Sequence, residues 1–306
     1  MTDHATARAA ALEAQPMRLA GPRPGFLRGT LGSVRDIAAH RELLGSLVRR
    51  ELKSRYKDST LGFVWTLVRP LAMLLIYWVV LGKFLEAERS IPSFAIFVYC
   101  GLTAWTLFSE IVNAGTSSII ANAGLVKKVY LPREVFPLSV VGSSLVNFAV
   151  QLAILVVATA VVGQFPTGPR WWTALLAFAV LLVHATALAL LLSALNVYLR
   201  DVQYLVDVGL LIFFWASPIV YSWQLVTTGL DSIGLSGGWL ERLYLLNPVT
   251  LVVLGFHETF WVAGDGKPVP DGLHERLGVA LVVGVVALWL CQRTFARLQS
   301  NFAQEL

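Results

Sequence analysis

Charge is scarce in this sequence: 14% of its 306 residues are Asp, Glu, Lys or Arg, whereas 56% are hydrophobic. Soluble domains usually carry about 25% charged residues. A water-soluble fold of this length could not bury so much apolar surface, so the sequence predicts a protein surrounded by lipid. Its net charge of +5 is then expected to reflect membrane topology, and no nucleic acid partner is expected.

Motifs for catalysis are missing as well. The two cysteines, Cys100 and Cys291, stand in separate apolar runs without metal-ligand spacing. Neither Gly82-Lys83 nor Gly266-Lys267 continues into a phosphate-binding GxxxxGKS/T loop, and His257-Glu258 is not part of an HExxH zinc motif. The sequence therefore predicts no enzyme, no metal site and no cofactor on this chain.

Long uncharged runs are what the sequence has instead. No formal charge lies between Glu134 and Arg170, or between Arg170 and Arg200. A helix needs about 20 apolar residues to cross the hydrocarbon core, and these runs lack the alternation of membrane β-strands. The sequence predicts an all-α integral membrane protein with six transmembrane helices, at 61–82, 93–112, 136–162, 171–198, 205–223 and 277–291.

Composition divides the chain into four regions. They are a disordered tail at 1–32, an amphipathic interface helix at 33–58, a transmembrane domain at 59–298 and a short C-terminus at 299–306. Ser33 and Asp36 have the spacing of a helix-capping box. The 224–276 segment carries three basic and six acidic residues, 3 − 6 = −3, so it is expected outside, with both termini in the cytoplasm.

The 49–82 stretch changes abruptly from basic to apolar. Such a boundary predicts a helix that lies on the membrane surface and then enters the bilayer. Its cations are expected to attract anionic headgroups, although they would also orient the first span in any case. These residues are Arg49, Arg50, Lys53, Arg55 and Lys57.

Aromatic residues are abundant in the predicted spans. Any one of them is more simply explained as lipid-facing or packing bulk, and the functional interpretation is a channel lined by ring faces. The channel candidates are Trp65, Tyr77, Trp78, Tyr99, Trp105, Phe213, Phe214, Trp215 and Tyr221. On the outer side, Asn247-Pro248 is expected to begin a short re-entrant or interfacial helix, since Pro is tolerated at the first helical position.

Six short motifs, in this order and spacing, carry a family resemblance. The chain resembles the transmembrane subunit of ABC-2 type polysaccharide exporters, which move O-antigen, teichoic acid, capsule or galactan. The motifs are RELKSRY (50–56), LGFVW (61–65), KVYLPRE (128–134), YLRDV (198–202), SPIVY (217–221) and LNP (246–248).

The resemblance implies a second copy of the chain, two separate ATPase subunits that use ATP-Mg, a lipid-linked polysaccharide cargo and a bacterial inner or plasma membrane. It places the cargo's diphosphate near the basic interface helix. It assigns outer-gate roles to Asn247, Pro248 and His257, where relatives often have Arg in place of the His. It assigns ATPase coupling to Leu125, Val126, Lys127, Lys128, Tyr130, Leu131, Pro132, Arg133, Glu134, Arg200 and Asp201.

Three other functions are open from the sequence. An ABC-2 permease for a drug or small lipid would share the architecture. A polyprenyl-linked membrane enzyme would need acidic or His clusters, which are not apparent. A scaffold or insertase would work without an ATPase.

Arg69 and Glu110 are the formal charges deepest in the predicted spans, and at similar depth they are expected to pair, within one chain or across a dimer. Reversing either charge alone should reduce stability or export. Reversing both should restore what each single reversal loses, measured as folded yield and export. Absence of any rescue would contradict the pairing.

Overall fold

The computed structural model describes residues 26–55, 65–84, 89, 91–128, 131–232, 234 and 238–306. All regular elements in these ranges are helical, as predicted. A π-helix, Tyr77–Phe84, continues α3, and two 3-10 turns lie at Val262–Gly264 and Gln299–Asn301. The α-helices are α1 Phe26–Ala39, α2 Arg41–Arg55, α3 Trp65–Ile76, α4 Phe94–Ala121, α5 Ala123–Lys128, α6 Val135–Val161, α7 Arg170–Tyr198, α8 Val202–Trp215, α9 Trp223–Ser232, α10 Trp239–Leu246, α11 Pro248–Phe260, α12 Leu273–Leu298 and α13 Phe302–Glu305.

Four helices (α4, α6, α7 and α12) are long and apolar enough to cross a membrane. The α10–α11 pair is bent by 80° and would make a fifth candidate if it counts as one broken span. The described residues therefore contain four or five candidate spans. The apolar helix α8 has only 14 residues, and residues 61–64 of the first predicted span lie outside the described ranges.

Three predicted spans differ from the helices found. The span predicted at 277–291 is shorter than α12, which covers Leu273–Leu298. The span predicted at 93–112 continues to Ala121, because polar side chains on one face do not interrupt backbone hydrogen bonds within the helix. The span predicted at 205–223 stops being helical at Trp215. Pro218 follows shortly after and disfavours helical backbone at the residue before it.

The N-terminal region also differs from the prediction. Helix α1 begins at Phe26, so the last residues of the predicted tail are helical, and a turn at His40 splits the interface segment into α1 and α2. Ser33 does not cap a helix; its hydroxyl accepts a hydrogen bond from Arg293 at 3.3 Å. Thr30 likewise accepts from the Trp289 indole at 3.0 Å. These contacts attach α1 to α12.

Helix α7 lies at the centre of the bundle, against α4, α11 and α12. Small residues allow close approach: a Cβ built on Gly115 would lie 2.6 Å from the Cβ of Ala189, and one on Gly255 would lie 2.8 Å from the Cβ of Ala177. Lipid provides little hydrophobic drive for helix association, so membrane helices depend on such close van der Waals packing. In this core, α11 is buried along almost its whole length.

Replacing Gly115 with Ala should destabilise the bundle by about 1–3 kcal/mol, the usual cost of overpacking a core. The measurement is thermal unfolding of the purified protein in detergent. Ala189→Gly in the same chain should recover stability by removing the opposing methyl group. Gly278→Ala, where an added Cβ meets nothing within 4 Å, is the matched control. Unchanged unfolding of Gly115→Ala would contradict the tight contact.

Candidate functional site

One end of the bundle, which we call the basic end, is built from α2, the end of α4, α5, the start of α6, the ends of α7 and α12, and α13. A buried hydrophobic cluster joins these elements. Its members are Leu47, Ile119, Val126, Val135, Phe136, Leu190, Ala194, Val197, Phe295 and Phe302. Helix α2, which belongs to the predicted interface segment, and the predicted coupling segment therefore share one packed core.

The predicted coupling segment forms α5 and the connection to α6. Leu125 and Val126 face the basic-end cluster, whereas Lys127 and Lys128 are exposed. Tyr130 lies outside the described residues. Of the residues that follow, Leu131, Pro132 and Arg133 are half-buried and Glu134 is buried.

Residues 299–306 pack against this connection. The Arg133 guanidinium lies 5.6 Å from the ring centroid of Phe302, and Gln299 donates a hydrogen bond to the Glu134 carboxylate at 3.3 Å. On the other side, the Phe302 ring packs against Tyr198 at 6.1 Å. The sequence did not predict that residues 299–306 pack against the bundle, because this segment contains few apolar residues.

The second predicted coupling position is the turn between α7 and α8. Arg200 and Asp201 are exposed there. Just before it, the Tyr198 hydroxyl donates to the carbonyl of Leu298 at 2.7 Å. Phe302 thus lies between both connections that were predicted to contact the ATPase.

The described headgroup candidates on α2 are all exposed. Arg49 and Lys53 lie one turn apart. Arg50 donates a hydrogen bond to the side-chain oxygen of Asn122, at the junction of α4 and α5. Lys57 and the side chain of Arg55 lie outside the described part of the chain.

A row of half-buried polar side chains runs along one face of α4, and we call it the polar seam. Its members recur at helical spacing and lie beside otherwise apolar faces: Thr106, Ser109, Glu110, Asn113 and Ser117. The periodicity is visible in the sequence, although only Glu110 was singled out from it. Glu110 lies about 17 Å from the Ala121 end of its helix, by the rise of ~1.5 Å per residue.

Neighbouring helices contribute polar groups to the seam. Asn147 of α6 donates to the Glu110 carboxylate at 2.9 Å, and Asn113 donates to the Asp207 carboxylate of α8. Asp207 is otherwise exposed. The side chain of Arg69 lies outside the described residues, so its pairing with Glu110 stays a prediction.

The predicted channel aromatics occupy different environments. Trp105 of the seam-bearing helix α4 meets Phe214 of α8 edge-on at 5.5 Å, and Phe214 meets Trp215 at 5.4 Å. Tyr99, by contrast, is buried in the core. Trp78, Phe213 and Trp215 are exposed, Tyr77 and Tyr221 are half-buried, and the side chain of Trp65 is outside the described set.

Beside the middle of α7, where Pro248 and His184 line a common pocket, Asn247 joins the bent helices to α8. Its side-chain oxygen accepts the N–H of Val249 at 3.0 Å and so caps α11, whose first residue is Pro248. Its amide nitrogen donates to the Ser217 hydroxyl at 3.1 Å, in the turn that follows α8. The predicted gate residues Asn247 and Pro248 thus lie at the break where α10 and α11 meet at an angle of 80°.

The far end of α11 is anchored by successive side chains. His257 contacts the carbonyl of Phe97 at 2.9 Å and stacks on its ring at 4.0 Å. Thr259 donates to the carbonyl of Arg170 at 3.2 Å, and Trp261 donates to that of Pro92 at 2.6 Å. His257 is therefore buried in helix packing rather than exposed at an outer mouth.

Comparison with known proteins fits this architecture. The family model of the ABC-2 type transporter matches residues 42–261. The chain belongs to the ABC-2 type transporter family. It is thus a transporter permease and not an enzyme, and within the described ranges no three His, Cys, Asp or Glu side chains come together as a metal site.

Individual relatives extend over most of the chain. It is 34% identical over 276 residues to the O-antigen export system permease protein RfbA of Myxococcus xanthus, covering 89% of this chain and 98% of the relative. It is 26% identical over 265 residues to RfbA of Klebsiella pneumoniae, covering 87% and 95%. The polysialic acid transport protein KpsM of Escherichia coli is 23% identical over 180 residues, covering 58% and 68%.

Burial raises the pKa of the Glu134 carboxyl above its ordinary value, because desolvation disfavours the charged form more than Gln299 and Arg293 stabilise it. A raised pKa in the folded state stabilises the protein at low pH, and this stability is lost as pH rises through that value. Glu134→Gln should therefore gain unfolding temperature relative to wild type at pH 8, and gain less at pH 5. A difference that does not vary with pH would contradict the desolvated carboxylate.

Proposed function

We propose that this chain is the membrane-spanning subunit of an ATP-driven exporter that carries a lipid-linked polysaccharide from the cytoplasm across the bacterial inner membrane. The observation that carries the proposal is the similarity to O-antigen export permeases over nearly the full length of the chain. The polar seam supports it independently, because a small apolar cargo would not need such a surface.

The energetic argument concerns the two seam carboxylates, Glu110 and Asp207. A charged side chain facing lipid at depth is costly, so such residues face the bundle interior, a partner or water. Asp207 is exposed on the single chain. In this proposal two copies face each other across a wet passage, where seam amides and hydroxyls exchange hydrogen bonds with sugar hydroxyls. Trp105 and Phe214 supply apolar faces beside them.

The finer topology is part of the same proposal. Helices α3 and α8 act as the first and fifth of six spans, and the bent α10–α11 pair acts as the re-entrant outer gate. The basic end faces the cytoplasm, in keeping with the positive-inside rule. Two separate ATPase subunits, with ATP-Mg, bind there at α5 and at the Arg200-Asp201 turn. Arg49, Arg50 and Lys53 attract the diphosphate of the lipid-linked cargo.

The test is export in a strain that lacks the chain, with variants supplied in trans. Loss of the chain should leave lipid-linked glycan inside the cell and remove it from the surface. Asp207→Leu should lower surface glycan at least about tenfold, equivalent to about 1.4 kcal/mol in the transport barrier. Asp231→Leu, an exposed acid on α9, is the matched control and should export normally.

Membrane levels of each variant, measured by blotting, separate failed insertion from failed transport. Normal surface glycan in the strain that lacks the chain would reject polysaccharide export. That outcome would favour the alternative of an ABC-2 permease for a drug or small lipid.

A further inference from the structure

Arg50 has two candidate acceptors. In the structure its guanidinium donates to the side-chain oxygen of Asn122, while the proposed function also assigns it to the diphosphate of the cargo. Both Arg50 and its contact with Asn122 are exposed. An anion arriving at α2 can therefore reach the same guanidinium.

Asn122 occupies the junction between two helices. Its amide nitrogen donates to the carbonyl of Ser118 at 2.8 Å, in the last turn of α4. Its backbone carbonyl accepts the N–H groups of Leu125 at 2.9 Å and Val126 at 3.1 Å, which begin α5. Asn122 therefore hydrogen-bonds to both helices that meet at this junction.

Helix α2 is linked to the α4–α5 junction in two ways. Arg50 donates to Asn122, the residue that precedes α5, and Leu47 of α2 and Val126 of α5 belong to the same apolar cluster. A change in the polar contact therefore acts on the residue that precedes the element predicted to bind the ATPase.

We propose that Asn122 is a positioning residue that competes with the cargo's diphosphate for Arg50, so that cargo binding releases the α4–α5 junction and signals occupancy to the ATPase. This inference rests on the proposed function. Arg pairs with phosphate through two opposite charges and can do so with two parallel hydrogen bonds, whereas the Asn122 side chain offers a single neutral oxygen. Arg49 and Lys53, which are also exposed on α2, add to the attraction of the anion.

Competition has a reciprocal consequence. If diphosphate binding disrupts the contact of Arg50 with Asn122, then removing the Asn122 oxygen must tighten diphosphate binding by the same coupling. Adding charge to that oxygen must weaken binding. A substitution that merely damages the fold would lower affinity in both cases, so the opposite signs are diagnostic.

The experiment titrates farnesyl diphosphate into the purified full-length chain in nanodiscs and follows binding by calorimetry. Asn122→Ala should bind about fivefold more tightly than wild type, and Asn122→Asp about fivefold more weakly. Arg50→Ala should bind more weakly than wild type. Asn301→Ala and Asn301→Asp, at an exposed amide of the same end, make the same chemical changes away from Arg50 and should leave affinity within about twofold.

A second readout uses the complex with its ATPase subunits. Farnesyl diphosphate should stimulate ATP hydrolysis by the wild-type complex. Asn122→Ala should hydrolyse ATP without diphosphate at about the stimulated wild-type rate, because its junction is already released.

The outcomes distinguish the competition for Arg50 from the headgroup-binding role of α2. Wild-type binding that Arg50→Ala weakens, with no change in either Asn122 variant, would overturn the competition and leave the headgroup role intact. No diphosphate binding by wild type would overturn both the competition and the headgroup-binding role. Equal loss of affinity in Asn122→Ala and Asn122→Asp would reduce the contact to a structural one and also overturn the inference.

Discussion

The buried helix α11 sets the main constraint on this structure. Polar groups removed from water must find partners inside the protein, and each one left unsatisfied in hydrocarbon costs several kcal/mol. Asn247 satisfies the first turn of α11, and His257, Thr259 and Trp261 join its other end to three different parts of the bundle. The helix is therefore held at both ends, and the 80° bend at Asn247 separates it from the preceding helix α10.

At the basic end the elements are held together by apolar packing. Leu47, Val126 and Phe302 come from parts of the chain far apart in sequence, yet they share one buried cluster. A packed core rearranges between discrete states more readily than it deforms continuously. A displacement of α5 would therefore disturb the packing of α2 and of the ends of α7 and α12.

Much of the bundle could be predicted from the sequence. Helices α6 and α7 fall within one residue of the predicted spans, because Glu134, Arg170 and Arg200 interrupt otherwise uncharged runs. The end of α8 was predicted wrongly, since hydropathy alone cannot register the backbone effect of Pro218. The extension of α4 to Ala121 was missed because its polar face lowers the mean hydropathy of a helix that stays intact.

The sites were less predictable than the spans. The helical spacing of polar residues in the sequence predicts a polar face on α4. It does not predict that Asp207 is the partner of Asn113. The contact of Arg50 with Asn122 joins residues 72 positions apart, and no local pattern encodes such a distance. Family resemblance supplied roles for motifs, while the contacts between the motifs came from tertiary packing.

In the proposed topology helix α8 is short for a spanning helix. Its 14 residues extend about 21 Å at ~1.5 Å per residue, against a hydrocarbon core of ~30 Å. The turn after it lies within protein, with Ile219 buried against Gly101 and the carbonyl of Ala216 bonded to Thr250. In that topology a thicker bilayer would strain this turn, so hydrophobic mismatch would link the lipid composition of the host to the bend at Asn247.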